Sequence, residues 1–322
     1  MASRTPPQRK RAVLSPEQRA EVDAIRAETH DTRRATVPAL EELLYEPLPV
    51  LDHGFVRVVD YMGDDAAIVQ AARVSYGRGT KTTRTDAGLI NYLMRNQHTS
   101  PFEMCEIKLH VKLPIFVARQ WVRHRTASLN EYSARYSVLD TEFYVPEPDQ
   151  LAVQATGNRQ GRGDTLSGPD AERVLALLRA DAEQAFEHYH EMLGDQSPTE
   201  GSEDAEPGLA RELARINLPL STYTQWYWKT SLHNLFHFLG LRGDEHAQWE
   251  IREYAKVVLG LVERWVPLAH HAFLSYRVGG AHLSAEGLAV AKRLIAGEQV
   301  DPETLEMAPR EWRELKATLG IE

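Results

Sequence analysis

At 322 residues with 43% hydrophobic side chains, the chain is long enough to close one large core or two ordinary ones. Its formal net charge of −9 argues against a general nucleic-acid binder, because such affinity comes largely from Lys and Arg neutralising phosphates. A single cysteine, Cys105, excludes an intrachain disulfide and a multi-cysteine zinc site; with no apolar run of the roughly 18 residues that span a bilayer and no signal-peptide core, the expectation is a cytoplasmic protein without a membrane segment.

The basic start, Arg9, Lys10 and Arg11 beside Pro6 and Pro7, reads as a solvated tail. From Ser15 to about Leu44 the pattern is polar with weak helical spacing, as in an extension packed loosely on the body. Phe55 to Asp60 predicts a short strand, and Asp64 opens a helix carrying Ala67, Ile68, Ala71 and Ala72. A Gly- and Thr-rich loop from Gly77 to Thr85 leads to Asp86, placed to cap a helix with Leu89, Ile90, Leu93 and Met94 on one face. Cys105, Ile107, Leu109, Val111 and Leu113 alternate with Glu106, Lys108, His110 and Lys112, the period of a half-buried strand with Cys105 on its apolar side. Pro114 ends that strand and suits the first turn of a helix turning Ile115, Ala118 and Val122 to the core.

Asp149 to Pro169 shifts to Gln, Gly, Asn, Arg and Asp and reads as a long surface loop. Helices are predicted from about Ala171 to Leu193 and from Pro207 to Asn217, separated by the acidic stretch SPTEGSEDAE. Between Thr222 and Thr230, Thr and Trp alternate with Tyr, Gln and Lys, which predicts an aromatic strand. A helix with Leu232, Leu235, Phe236 and Leu239 on one face follows, then a longer one capped by Asp244 and running through Trp265. Two or three surface helices complete the chain, with Ser284 and Asp301 as N-caps. Strands mixed with many helices, without strict alternation, indicate an α+β fold.

The densest chemical signal is QWVRHRTASLNEYSARYS, Gln120 to Ser137, where Arg123, His124, Arg125 and Arg135 concentrate positive charge in an acidic chain. Guanidinium groups bind phosphates and carboxylates through paired hydrogen bonds, so the patch calls for an anion. Ser128, Asn130, Glu131 and Ser133 add donors and acceptors in what reads as a loop, since Ser and Asn favour turns. His233 and His237 share a helical face at zinc-compatible spacing, but position 234 is Asn, the HExxH signature is missing and no metal is expected. Trp226, Tyr227 and Trp228 could stack bases, yet on a strand they are more simply core residues, so no nucleic-acid partner is expected.

The run RHR followed seven residues later by Ser, Arg123 to Ser133, resembles the signature of flavin-dependent thymidylate synthases. The similarity extends through NEYSARY and reappears at HTSPFE (His98 to Glu103), ELARINLPLSTYTQWYW (Glu212 to Trp228) and LHNLFHFLGLRGDEHAQWEIREYA (Leu232 to Ala255). It implies a mixed antiparallel sheet with many helices, arranged as an N-terminal extension (1–45, partly flexible), the family domain (46–280) and a helical C-terminal extension (281–322). It further implies a homotetramer with sites shared between subunits. The implied reaction is methylation of dUMP to dTMP, with 5,10-methylenetetrahydrofolate as carbon donor and NADPH as reductant through FAD.

By the same resemblance, Ser100, Arg123, His124, Arg125, Glu131, Ser231, Leu232, His233 and His237 correspond to FAD contacts. Gln120, Trp121, Val122, Arg123, Glu131, Tyr132, Ser133, Ala134, Arg135, Arg215 and Arg242 correspond to positions holding dUMP. Arg242 matches the catalytic arginine that assists ionisation at N3 of the pyrimidine. Many relatives have Asn or Asp where this chain has Ser231, and some have Asn where it has His237. The other type of thymidylate synthase needs a cysteine nucleophile, and the only one here, Cys105, lies on the apolar face of a predicted strand.

Overall fold

The computed structural model describes residues 14–74, 83–156, 161–194 and 208–321. The Arg9–Arg11 cluster, most of the Gly77–Thr85 loop and the SPTEGSEDAE stretch lie outside them. Ser15 opens α1 (Pro16–Ala27) through a capping box with Gln18. Along this segment Arg19 pairs with Glu46 at 2.9 Å, and Arg26 donates to the carbonyls of Leu44 (2.6 Å) and Glu42 (3.0 Å).

After the single turn α2 (Pro38–Glu41), β1 (Leu48–Val50) and β2 (Gly54–Met62) form an antiparallel pair. Asp64 then accepts from the Ala67 amide at 2.8 Å and caps α3 (Asp65–Val74), as its position predicted. The next helix, α4 (Thr83–Arg95), begins before Asp86, so that residue does not cap it; Asp86 pairs with Arg73 at 2.8 Å instead. The short α5 (Ser100–Glu103) leads into β3 (Glu106–Pro114), whose alternation is as expected: Ile107, Leu109, Val111 and Leu113 are buried and the residues between are half-exposed. Pro114 is the N-cap of α6 (Ile115–Trp121).

Ser128–Glu131 is not a loop but a fully exposed strand, β4, because its backbone finds a partner in the later Trp-rich strand. A second difference follows at residues 149–169, where β5 (Ala152–Gln154) and β6 (Arg162–Thr165) build an antiparallel pair. The long α7 (Pro169–Leu193) precedes α8 (Arg211–Ala214), a single turn continued as 3-10 helix to Asn217. The aromatic strand is β7 (Tyr223–Ser231), which completes a five-stranded sheet of order β1-β2-β3-β7-β4 in which every adjacent pair of strands is antiparallel.

Ser231 caps α9 (Leu232–Arg242) by accepting from the Asn234 amide. The following helix, α10 (Trp249–Trp265), starts later than a cap at Asp244 would require, because that carboxylate is turned onto the amide and ring of His246 at 2.8 Å. Buried Trp226 and Trp228 from β7, Trp121 from α6, Phe238 from α9 and Tyr254 from α10 make one aromatic core between the sheet and these helices. Burying such rings removes most of their area from water, at roughly 25 cal/mol per Å². The opposite face of the sheet is polar: Arg57 Nε donates to His110 Nδ1 at 2.9 Å, and His110 Nε2 meets Gln225 at 3.0 Å.

The chain divides into two compact units, Met1–His270 and His271–Glu322, with α11 (Pro267–Phe273) running through the division. The second unit contains α12 (Ala285–Ile295), capped by Ser284 as expected, and α13 (Pro309–Leu319). Val290, Met307 and Leu315 form its core, and Asp301 caps only a 3-10 turn, Pro302–Thr304. No helix among the described residues is long and apolar enough to cross a membrane.

Candidate functional site

The expected site residues fall into two groups. The first lines a cleft of about 360 Å³, formed by Glu131, Tyr132, Ser133, Ala134 and Arg135 after β4, by Arg215 and Leu218, and by Tyr223 and Thr224 at the start of β7, with Ile115 and Leu139. That volume lies within the range of small-molecule sites. Its position follows from packing. Ala134 and Leu139 belong to a buried cluster with Phe186, Tyr189 and Leu193 of α7 and Ala214 of α8, and the Leu139 amide donates to Tyr189 Oη at 3.2 Å. The chain between β4 and residue 139 is thereby pinned from below, and its polar groups face the opening.

Two cations serve this cleft. Arg135 is tied to Glu212 at 2.9 Å, but both side chains are more than half exposed, so solvent screening leaves the pair weak and the guanidinium open to a better anion. Arg215 is half-buried and has no ion-pair partner among the described residues. Glu131 accepts from the Thr224 hydroxyl at 2.8 Å, which fixes one carboxylate oxygen at the rim. Leu139, Leu218, Tyr223 and Thr224 were not singled out as site residues. The last three lie inside the similar segment from Glu212 to Trp228, which was the available signal.

The second group gathers where the end of α6 meets the end of α9. Arg242 donates from Nε to His124 Nε2 at 3.0 Å and from Nη2 to the Gln120 carbonyl at 3.2 Å. Since His124 Nε2 accepts, its proton sits on Nδ1 and the ring is neutral. Burial first, then the charges of Arg242 and His237, lower His124 to about 4, so this ring stays uncharged at neutral pH. Arg242 is itself lowered from its ordinary value by burial and by Arg123. Two guanidinium groups and a neutral imidazole therefore share one corner, an arrangement that an anionic or electron-rich ligand would relieve.

Around this corner, His237 is exposed and lies edge-on to His124, and His233 and Ser231 are half-buried at the start of α9. Arg123 and Arg125 are exposed with no ion-pair partner among the described residues, which in a chain of net charge −9 fits a phosphate-bearing cofactor. Ser100 and Val122 are exposed. Trp121 and Leu232 are fully buried, so only their backbone can reach a ligand. Within one chain the cleft is not lined by Arg123, His124 or Arg242.

Residues 57–268 match the family model described as thymidylate synthase complementing protein. The chain is 58% identical over 307 residues to a flavin-dependent thymidylate synthase of Ruegeria pomeroyi, covering 95% of this chain and 99% of that one. It is 59% identical over 290 residues to a relative of the same name from Rickettsia conorii, covering 90% and 99%. Among solved structures it is similar to the UMP/dUMP methylase PolB from Streptomyces cacaoi bound with 5-Br dUMP, with 34% identity and a TM-score of 0.62 over 71% of this chain and 98% of that chain. A family model spanning most of the α10-backed sheet, and relatives matched over nearly their full length, establish that the chain belongs to the flavin-dependent thymidylate synthases.

Proposed function

We propose that this protein converts dUMP to dTMP in the cytoplasm, using FAD, with NADPH as reductant and 5,10-methylenetetrahydrofolate as carbon donor. The observation that carries the reading is Arg242, a cation held by a neutral imidazole and a carbonyl rather than by a carboxylate. Uracil is a poor carbon nucleophile at C5 until negative charge develops on its N3 and O4 side. A guanidinium with no counter-ion among the described residues, half-buried and fixed in direction, stabilises that charge without reorganising. It remains protonated at any working pH, so its service is electrostatic. Arg135 and Arg215 suit the nucleotide phosphate, while Arg123 and Arg125 suit the cofactor's pyrophosphate. The flavin, when bound, carries the reducing electrons; the chain binds and orients.

Because the cleft and the Arg242 corner are separate groups in one chain, the reading includes a homotetramer in which neighbouring subunits complete each site. The test is Arg242→Ala. The variant is expected to keep its flavin and to be reduced by NADPH, yet to lose turnover by about a hundredfold or more at saturating dUMP. If raising dUMP restores full kcat, Arg242 is an ordinary binding residue and the electrostatic role is wrong.

A further inference from the structure

Glu250, in the first turn of α10, is only 3% exposed, and each of its hydrogen-bond partners among the described residues is a donor. Arg162 Nη2 reaches both oxygens at 2.6 Å, Tyr144 Oη reaches Oε1 at 3.2 Å, and Gln248 Nε2 reaches Oε2 at 2.9 Å. A carboxylate can only accept, so Gln248 must turn its NH2 toward Glu250 and its carbonyl away. That carbonyl oxygen receives the NH2 of Gln120. The orientation of Gln120 is thereby fixed as well: its nitrogen is directed at Gln248, and its own carbonyl oxygen is left as the acceptor for whatever lies beyond. Without this chain of contacts an amide can turn end for end and present a donor where an acceptor is needed.

We propose that Arg162, Glu250 and Gln248 are positioning residues that set the polarity of Gln120, so that it accepts a hydrogen bond from an N–H or O–H group of the pyrimidine nucleotide. The inference rests on the assignment of Gln120 to dUMP given above. It also gives the β5–β6 hairpin a task. Arg162 opens β6, and its second arm is fastened to the hairpin's own base by a bond from Nη1 to the Gln150 carbonyl at 3.1 Å. The hairpin thus delivers one guanidinium to a carboxylate 88 residues away, and the effect emerges at a glutamine 128 residues before Gln248. Burial would be costly for a lone carboxylate at Glu250, and Arg162 is the cation that pairs with it.

Gln248 is exposed, so Gln248→Ala removes the relay without disturbing the core. The experiment measures calorimetric Kd for dUMP, alongside kcat, in flavin-loaded wild type, Gln120→Ala, Gln248→Ala, Arg162→Ala and the double variant Gln120→Ala/Gln248→Ala. Each single variant is expected to weaken dUMP about three- to tenfold, the range of one neutral hydrogen bond, with kcat at saturation within about twofold in Gln248→Ala and Arg162→Ala. In the Gln120→Ala background, Gln248→Ala is expected to add nothing, which a merely structural role would not produce. Additive losses, or a weakened Gln120→Ala beside an unaffected Gln248→Ala, would overturn the relay alone. An unaffected Gln120→Ala would overturn the assignment of Gln120 and the relay with it, whereas wild type that does not bind dUMP would overturn the functional reading itself.

Discussion

Cys105, the one thiol available to a nucleophilic mechanism, is buried at the head of β3 with its Sγ against the Asp64 carbonyl at 3.4 Å. Burial, reinforced by Asp64 and Asp65, pushes it up to about 12, so no thiolate is present at neutral pH. Cys105→Ala is therefore expected to keep turnover within about tenfold, at a packing cost on the order of 1–2 kcal/mol. A folded Cys105→Ala without any activity would show that the sulfur acts on the substrate. His124 makes the converse case. Its ring accepts from Arg242 because it is uncharged, and a cation at that position would stand against Arg242 and His237. The alternation around Cys105 made its inertness legible in the sequence; nothing there shows that His124 faces Arg242, since 118 residues separate them and only the meeting of α6 with α9 joins them.

The strands with one buried face, β2, β3 and β7, are readable because apolar and polar residues alternate along them, and the structure adds what alternation omits, namely how closely a helix can lie on them. At Gly54, the first residue of β2, a Cβ would collide with the Tyr254 hydroxyl of α10 and stand 2.7 Å from the Val50 carbonyl and 2.8 Å from that of Lys112. Tyr254 in turn donates to the Lys112 carbonyl at 2.7 Å. Gly54→Ala is expected to cost about 2 kcal/mol or more, seen as a lowered urea midpoint; an unchanged midpoint would mean that the α10–sheet contact gives way easily. Elements without a buried face were not legible. β4 is Ser-Leu-Asn-Glu with all four residues exposed, and it becomes a strand only because β7 supplies its hydrogen bonds. The same holds for β5 and β6, which are short, largely exposed and, among the described residues, paired only with each other. The start of α10 was misplaced because Asp244, a good cap by type, is used in the turn before it.

Across the molecule, the site's positive half could be read directly, since a cluster of arginines in a chain of net charge −9 stands out, but its supporting half could not, because Tyr144, Arg162, Gln248 and Glu250 look like ordinary surface residues until the fold assembles them. Folding also leaves a signature in acid. His110 is lowered from 6.5 to about 4 by burial, then by Arg57, and His124 lies at about 4 for the reasons above. Between about pH 6.5 and 4 the unfolded chain binds protons that these two rings refuse, so both make stability fall as pH is lowered through that window. His110→Gln is expected to flatten the fall by one proton's worth of slope in urea midpoints taken at several pH values. Equal slopes in variant and wild type would mean that His110 is free to ionise. Glu250, finally, has a consequence for descent. A carboxylate that answers donors from two distant segments and from Gln248 beside it cannot be exchanged singly: losing it strands a guanidinium and frees two amides, while losing Arg162 leaves a buried charge. Lineages that shorten the hairpin at residues 152–165 are therefore expected to have replaced Glu250 in the same step, and the two changes should be inherited together or not at all.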